Sequence, residues 1–181
     1  MNQPSQNPPT PSPLKFRASF IILPLLCLLA TIIISAVYYG QLPDNVTFRF
    51  DIHGNPSAEM AKTSFIVLMI GIQALLTLVA YITTSAIGNI PVLRDNTDKF
   101  KFNPGRLLAL IGNMPAIIQL IMAYVLVDAV IYAKQAEHII PLWVFAVVTL
   151  VIGGGIILVF GVPIAIKGYK AITGVEEKKK D

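Results

Sequence analysis

The chain has 181 residues, of which 55% are hydrophobic and only 13% are charged, and its formal net charge is +4. The mean hydropathy is +0.69, and the charged fraction is about half of the roughly 25% found in soluble domains. This composition excludes an ordinary soluble domain and indicates a protein of the lipid bilayer. The single cysteine, Cys27, excludes an internal disulfide and is expected to be a buried, unreactive thiol.

The chain begins with a leader, residues 1–17, that is rich in Pro, Asn and Ser and has nothing to bury. We expect it to be disordered. The first apolar block follows, ASFIILPLLCLLATIIISAVYY, from Ala18 to Tyr39. This block is too long for a signal peptide and no small-x-small cleavage site follows it, so we predict an uncleaved transmembrane helix.

The next segment, residues 40–62, is compact and polar, and it contains LPDNVTFRFDIHGNPSAEMAK. Residues 46–53 alternate strictly, with Val46, Phe48, Phe50 and Ile52 on one face and Thr47, Arg49, Asp51 and His53 on the other. A period of two favours an extended, half-buried segment, and the Asn-Pro pair that follows predicts a short helix from about Pro56. Because a lone strand is unstable, we expect the segment to fold as a lid against the helix ends.

Three further apolar blocks are also long enough to cross a bilayer, and none alternates apolar with polar residues as a barrel strand does. They extend from Thr63 to Ile87, from Arg106 to Ala133 and from Ile139 to Ile166. The predicted fold is therefore all-α and integral to the membrane, with four transmembrane helices. Its parts are a first helical pair (18–87), a cytoplasmic loop (88–105), a second helical pair (106–166) and a basic cytoplasmic tail (167–181).

The Lys and Arg residues predict the orientation of these helices. The leader, the second loop and the tail carry two, four and five of them, whereas the first and third loops carry two and one. Basic segments stay in the cytoplasm. We therefore predict that both termini are cytoplasmic and that the 40–62 segment faces out of the cell.

The outward segment also carries a spaced motif, made of Leu42-Pro43-Asp44, Val46, Phe50-Asp51, Gly54, Pro56 and Lys62. This motif lies directly between two spans, and it resembles a bacterial membrane domain of unknown function found at the start of Sdp-type immunity proteins. The resemblance covers Ala18 to Ala80. The family commonly reads L-P-x-x-V-P-x-H-F here, and this chain has Thr47 and Arg49 where Pro and His are usual. The resemblance implies a protein of the bacterial inner membrane that protects against a secreted peptide toxin or takes part in signalling.

We take this outward segment as the candidate binding surface for a peptide or a membrane-protein partner. Arg49 is expected to form ordinary ion pairs with Asp51 or Glu59. The chain has only two histidines and no metal-ligand spacing, so we predict no metal and no cofactor. No nucleophile elbow, phosphate loop or nucleic-acid motif is present, which predicts a non-enzymatic protein. The candidate binding residues are Pro43, Asp44, Phe48, Arg49, Phe50, Asp51, His53, Gly54, Pro56 and Lys62.

Four polar residues fall within the predicted spans: Gln73, Asn113, Gln119 and Asp128. We expect the three amides to form hydrogen bonds between helices, and the alternative is that they line a path. Asp128 lies near the end of its block, which predicts an interfacial position facing Arg49 or Lys134; a proton or ion role is the alternative. Pro115 is expected to free a backbone carbonyl near Ile111.

Three functional hypotheses follow. The first is an immunity or sensor protein whose outward segment binds a peptide or a partner protein. The second is an accessory or structural subunit of a larger membrane complex, because apolar helices can pack against other subunits. The third is a small transporter or channel component that uses Asp128 and the buried amides. Homo-oligomers and hetero-oligomers are both compatible with the sequence.

Overall fold

The computed structural model describes residues 17–51, 55–89, 104–135 and 138–173. In this part of the chain four helical segments are long and apolar enough to cross a membrane: Ala18–Gln41, Lys62–Gly88, Gly105–Gln135 and Leu142–Ile164. The predicted class is therefore confirmed, and each predicted block coincides with one of these segments. The leader predicted to be disordered lies outside the described residues, except for Arg17.

The first span consists of a 3-10 turn, Ala18–Ile21, then helix α1, Ile22–Tyr38, and a second 3-10 turn, Tyr39–Gln41. Pro24 lies in the first turn of α1, where a backbone N–H has no partner within the helix, so its ring is tolerated there. The second span is helix α2, Lys62–Gly88.

Between these spans lies a β-hairpin. Strand β1, Asn45–Phe50, pairs antiparallel with strand β2, Pro56–Ala61. The predicted extended segment is present, but the short helix predicted from Pro56 is wrong, because residues 56–61 form a strand. Asn55 does not cap a helix, since its side-chain amide donates to Asp51 Oδ2 at 3.1 Å. Pairing also gives the backbone of the extended segment the partner that a single strand lacks.

The third span is interrupted. Helix α3, Pro104–Asn113, and helix α4, Ala116–Gln135, are separated by a turn at Met114 and Pro115. Pro115 has no N–H to donate to Ile111, and the Met114 N–H takes that place at 3.3 Å from the Ile111 oxygen. The helix is broken where proline removes an N–H, but the Ile111 carbonyl that we expected to be free accepts from Met114.

The fourth span lies in helix α5, Leu142–Thr173. It begins directly after Pro141, whose carbonyl accepts hydrogen bonds from Val144 N and Phe145 N at 2.9 and 3.2 Å. The helix continues past its predicted end at Ile166, so residues 167–173 of the predicted tail are helical.

The first three spans pack on one another, and the hairpin rests on their shared end. Helix α1 packs on α2 and α4, and strand β1 contacts α2 and α4. A cluster of buried side chains joins these elements: Leu42, Val46, Phe65, Ile66, Met69, Leu126, Ala129 and Val130. The fourth span packs on α3 and α4 and is the least covered, with 11% of its most apolar stretch buried against 28–33% for the others.

Candidate functional site

The β-hairpin is anchored to the helices by its apolar face. Val46 is buried, and Phe48 and Met60 are half-buried against the core cluster. Arg49 and Asp51 are exposed, so the alternation read from the sequence matches the two faces of β1 where the structure describes them. Ile52 and His53 of the predicted pattern, and the candidate binding residue Gly54, lie outside the described residues.

The base of the hairpin is closed by Asp44 and Lys62. Lys62 Nζ lies 2.8 Å from Asp44 Oδ1, and the Lys62 backbone N–H donates to the Asp44 carbonyl at 2.9 Å. Lys62 Nζ also lies 5.6 Å from the centre of the Tyr39 ring. The hydrogen bond from Lys62, aided by its positive charge, lowers the pKa of Asp44 below the ordinary value. Exposed Pro43 precedes this pair.

We expect Asp44→Asn to reduce stability at neutral pH and to have no effect in acid. A lowered pKa means that the carboxylate stabilises the fold above the ordinary titration range, and that this contribution disappears as the pH falls through the lowered pKa. Thermal unfolding of both proteins in detergent between pH 7 and pH 3 measures the difference. A difference that stays constant over this range would contradict the assignment.

The tip of the hairpin is held by Asp51. Its Oδ1 accepts a hydrogen bond from the Asn55 backbone N–H at 2.8 Å, and its own backbone N–H donates to the Asn55 carbonyl at 2.9 Å. Together with the side-chain bond to Asn55, these contacts join the end of β1 to the start of β2. Asp51 therefore ties the two strand ends together, and Pro56 begins the return strand opposite Phe50.

Arg49 is exposed and, contrary to expectation, has no ion-pair partner in the part of the chain that the structure describes. The expected partners are engaged elsewhere, Asp51 with Asn55 and Glu59 with the Thr47 hydroxyl, which lies 3.5 Å from Glu59 Oε1. Arg49 lies opposite Ala58 in the strand register. Within the described residues the ion pairs are Asp44 with Lys62 and Asp128 with His138. The guanidinium of Arg49 is thus available to a partner.

A cluster of four residues joins the far end of β1 to the third span: Phe50, Asp128, Tyr132 and His138, here called the Asp–His cluster. The Phe50 ring meets His138 and Tyr132 edge-on, at centroid distances of 4.4 and 4.9 Å. His138 Nδ1 lies 2.8 Å from Asp128 Oδ2. The cluster therefore links the hairpin, α4 and the segment that precedes α5.

The prediction that Asp128 faces Arg49 or Lys134 is wrong, because its partner is His138. Lys134 Nζ instead lies 4.9 Å from the centre of the Tyr38 ring. The position near the end of the span is as expected, but Asp128 is only 4% exposed, so protein rather than solvent surrounds it. Its second oxygen, Oδ1, has no hydrogen-bond partner among the described residues.

The segment that carries His138 is itself held in place. The Ile140 backbone N–H donates to the Tyr124 hydroxyl at 3.1 Å, and that hydroxyl donates to the Ile140 carbonyl. Tyr124 also stacks on Phe145 of α5 at 4.0 Å. His138 is therefore presented to Asp128 by a fixed segment.

The two buried glutamines form a second polar group, here called the amide pair, between α2 and α4. Both are fully buried. Gln119 Nε2 donates to the Gln73 carbonyl and to Thr77 Oγ1, both at 2.9 Å, and Gln73 Nε2 donates to Thr31 Oγ1 at 2.5 Å and to the Gln119 carbonyl at 3.5 Å. These bonds tie α1, α2 and α4 together.

The backbone carbonyls determine which way each amide points, because a carbonyl accepts a bond only from the NH₂ end. The two Oε1 atoms then have no partner among the described residues. Buried acceptors usually have a hydrogen-bond donor. The amide pair is therefore a tightly packed polar site with two unused acceptors.

We expect Gln119→Leu to destabilise the protein by about 1 kcal/mol, the scale measured for hydrogen bonds between membrane helices. In a double-mutant cycle, Gln119→Leu and Thr77→Val should show an interaction energy of about 0.6 kcal/mol, because Gln119 donates directly to the Thr77 hydroxyl. Thr84→Val is the matched control, since the Thr84 hydroxyl donates to Ala80 and Tyr81 of its own helix. Unfolding in denaturing detergent measures both cycles, and equal coupling in the two would contradict the arrangement.

Asn113 connects α3 to the start of α1. Its Oδ1 accepts a hydrogen bond from the Leu23 backbone N–H at 2.9 Å, and its Nδ2 donates to the Ala109 carbonyl at 2.7 Å. The Leu23 N–H lies in the first turn of α1 and has no partner within that helix. Asn113 therefore satisfies a helix end far from the hairpin.

Nothing in the sequence singles out several residues of these sites by themselves, namely Thr31, Thr77, Tyr124 and Tyr132. One signal was available on α2, where Gln73, Thr77, Ala80 and Thr84 recur at intervals of three or four residues and all are buried. Small and polar residues at that spacing favour a helix–helix interface in membranes. No comparable pattern indicates that His138 meets Asp128. Among the described residues, no group of three potential metal ligands is present.

The comparisons with known proteins bear on one part of this arrangement. No curated protein and no solved structure matches the chain. One family model does match part of the chain. The matched part contains the β-hairpin and Gln73, whereas Gln119, Asp128 and His138 lie outside it. Residues 25–74, from α1 through the β-hairpin to the middle of α2, match the family model described as a domain of unknown function, DUF1648.

Proposed function

We propose that this chain is a non-enzymatic, multi-pass membrane protein of the immunity or sensor type, whose β-hairpin faces out of the cell and binds a peptide or a partner protein. The observation that carries the proposal is the division of the hairpin into an anchored face and an exposed face. Val46 is buried and Phe50 contacts His138, whereas Arg49 is exposed and unpaired among the described residues.

The hairpin suits recognition of an extended peptide. Its described part is a two-stranded sheet, so each strand pairs on one side only. An extended peptide that adds to such an edge gains main-chain hydrogen bonds, while side chains beside the edge provide specificity. Arg49 supplies a positive charge there, which favours a peptide with a carboxylate near its docked strand. The contacts of Asp44 with Lys62 and of Asp51 with Asn55 keep this surface ordered before binding.

The resemblance of the 40–62 segment to a domain of immunity proteins supports a secreted peptide as the ligand of the β-hairpin. Deleting the gene and challenging cells with secreted peptide toxins tests it. Complementation with Arg49→Glu should fail to restore protection, whereas Arg17→Glu, the same charge change at the opposite end of the bundle, should restore it. If the deletion strain is no more sensitive than its parent to any toxin of a broad panel, the proposed immunity function is contradicted.

The orientation is tested separately. In a Cys27→Ser background, a cysteine is placed at Asn55 or at Asn89, which are exposed at opposite ends of the bundle. A thiol reagent that cannot cross the membrane should modify the Asn55 position in intact cells and spare Asn89. The reverse pattern would place the hairpin in the cytoplasm and exclude an extracellular peptide as its ligand.

A second candidate function, an accessory subunit of a larger membrane complex, is favoured by the fourth span. Only 11% of its most apolar stretch is buried within this chain, which leaves a long apolar face for lipid or for another subunit. Size measurement after extraction in a gentle detergent distinguishes the two cases. A particle that contains one chain of 19.7 kDa plus detergent argues against a stable complex.

A further inference from the structure

An apolar cleft of about 1070 Å³ lies in the half of the bundle away from the hairpin. It is formed by the start of α1, by α3 and the start of α4, and by the middle of α5. Ile152, Ile156 and Phe160 line it and are 50–61% exposed, so the cleft opens to the surroundings of the helices. Its volume is at the upper end of the range for ligand sites.

The lining is apolar except at a few points, and Arg106 is its one charged residue among those described. Asn113 also lines the cleft, but both ends of its amide are occupied, by Leu23 and Ala109. No carboxylate of the described residues forms an ion pair with Arg106. The cleft therefore combines a long apolar wall with one unpaired cation.

The bounds of the third span indicate that Arg106 lies near the lipid headgroups. Arg106 directly follows Gly105, where the third span begins. Along α5 the lining extends from Thr149 to Ile164, over about 22 Å at 1.5 Å per residue. One leaflet of the hydrocarbon core is about 15 Å thick, half of the full core. A lipid with its headgroup at Arg106 would thus lay its chain along most of the cleft.

We propose that this cleft binds an acyl chain of an anionic phospholipid, with the lipid phosphate paired to Arg106. Charge complementarity selects the anionic class, because a guanidinium matches a phosphate and Arg106 has no carboxylate partner among the described residues. The apolar wall matches the chain, and the occupied amide of Asn113 disfavours a polar solute. The proposal is independent of what the hairpin binds.

Native mass spectrometry of the full-length protein tests the site, with an equimolar mixture of phosphatidylglycerol and phosphatidylcholine as the probe. The unmodified protein should retain phosphatidylglycerol preferentially. Arg106→Gln should weaken that retention about fivefold, the effect of one basic residue at a membrane surface. Arg17→Gln is the matched control, because Arg17 is also basic and exposed but does not line the cleft. Equal weakening by both variants, or none by Arg106→Gln, would overturn the proposal.

A second pair of variants tests the apolar wall. Ile156→Trp should fill the cleft and abolish the bound lipid, whereas Leu158→Trp, two residues along α5 and outside the cleft, should leave it bound. Circular dichroism checks that both proteins fold. Retention of the lipid by folded Ile156→Trp would show that the chain lies elsewhere and overturn the proposal.

The native thiol supplies a measurement that needs no variant. Cys27 lines the cleft and is the one cysteine of the chain. In nanodiscs, an apolar maleimide should label it more slowly when the bilayer contains phosphatidylglycerol than when it is phosphatidylcholine alone. Equal labelling rates in the two bilayers would contradict occupation of the cleft by the anionic lipid.

Discussion

His138→Ala is expected to destabilise the protein by about 3 kcal/mol, the upper end of the range for leaving a buried polar group without its hydrogen-bond partner. Asp128 is 4% exposed, and its Oδ1 already has no partner among the described residues. Loss of His138 removes the partner of Oδ2 as well, so both carboxyl oxygens would lie buried with no hydrogen-bond partner among the described residues. The variant also removes the ring that Phe50 meets, which should loosen the hairpin.

Equilibrium unfolding in detergent at neutral pH measures this loss. Asp128→Asn should cost less, about 1 kcal/mol, because an amide NH₂ can donate to Nδ1 of a neutral imidazole. Lys134→Ala is the control at the same end of the bundle, since Lys134 contacts the Tyr38 ring and not the cluster; it should cost under about 1 kcal/mol. Equal losses for His138→Ala and Lys134→Ala would contradict the buried pair.

Gly112→Ala is expected to destabilise the protein by about 3 kcal/mol, the upper end of the usual cost of overpacking, or to prevent folding. A Cβ at Gly112 would lie 2.2 Å from the Phe20 carbonyl oxygen and 2.6 Å from Thr84 Cγ2. The first of these atoms belongs to backbone and cannot rotate away. Helix α3 would have to move off the 3-10 turn Ala18–Ile21 and off α2.

Gly71→Ala is the matched control for this variant. Gly71 lies within α2, and a Cβ there would meet nothing within 4 Å. Alanine is a better helix former than glycine by about 1 kcal/mol, so the control should be neutral or stabilising. Thermal unfolding and yield in detergent are measured for both. Similar behaviour of the two variants would contradict the close approach at Gly112.

The four spans could be predicted from the sequence because the bilayer acts on composition and length alone. A long run of apolar residues with few charges must close its backbone hydrogen bonds internally, and a helix does so without any other part of the chain. The break at Pro115 follows from the same local rule, since proline has no N–H to donate.

The second strand of the hairpin could not be predicted in this way. Residues 56–61, Pro-Ser-Ala-Glu-Met-Ala, contain no β-branched or aromatic residue, and Asn55-Pro56 has the pattern of a helix start. Their conformation is decided by pairing with β1, where Thr47 lies opposite Glu59 and Val46 opposite Met60. Strand pairing depends on a partner segment and on the turn at Asp51, which local propensity does not contain.

Sequence alone determined that this protein has four membrane-spanning helices, that a folded segment separates the first two, and which polar residues lie within the spans. Only the tertiary structure decided their partners: Asp128 with His138, Gln119 with Thr77, and Arg49 with none among the described residues. The reason is physical. Hydrophobicity acts on each stretch of chain separately, whereas a hydrogen bond or an ion pair depends on the distance between two atoms that separate elements bring together.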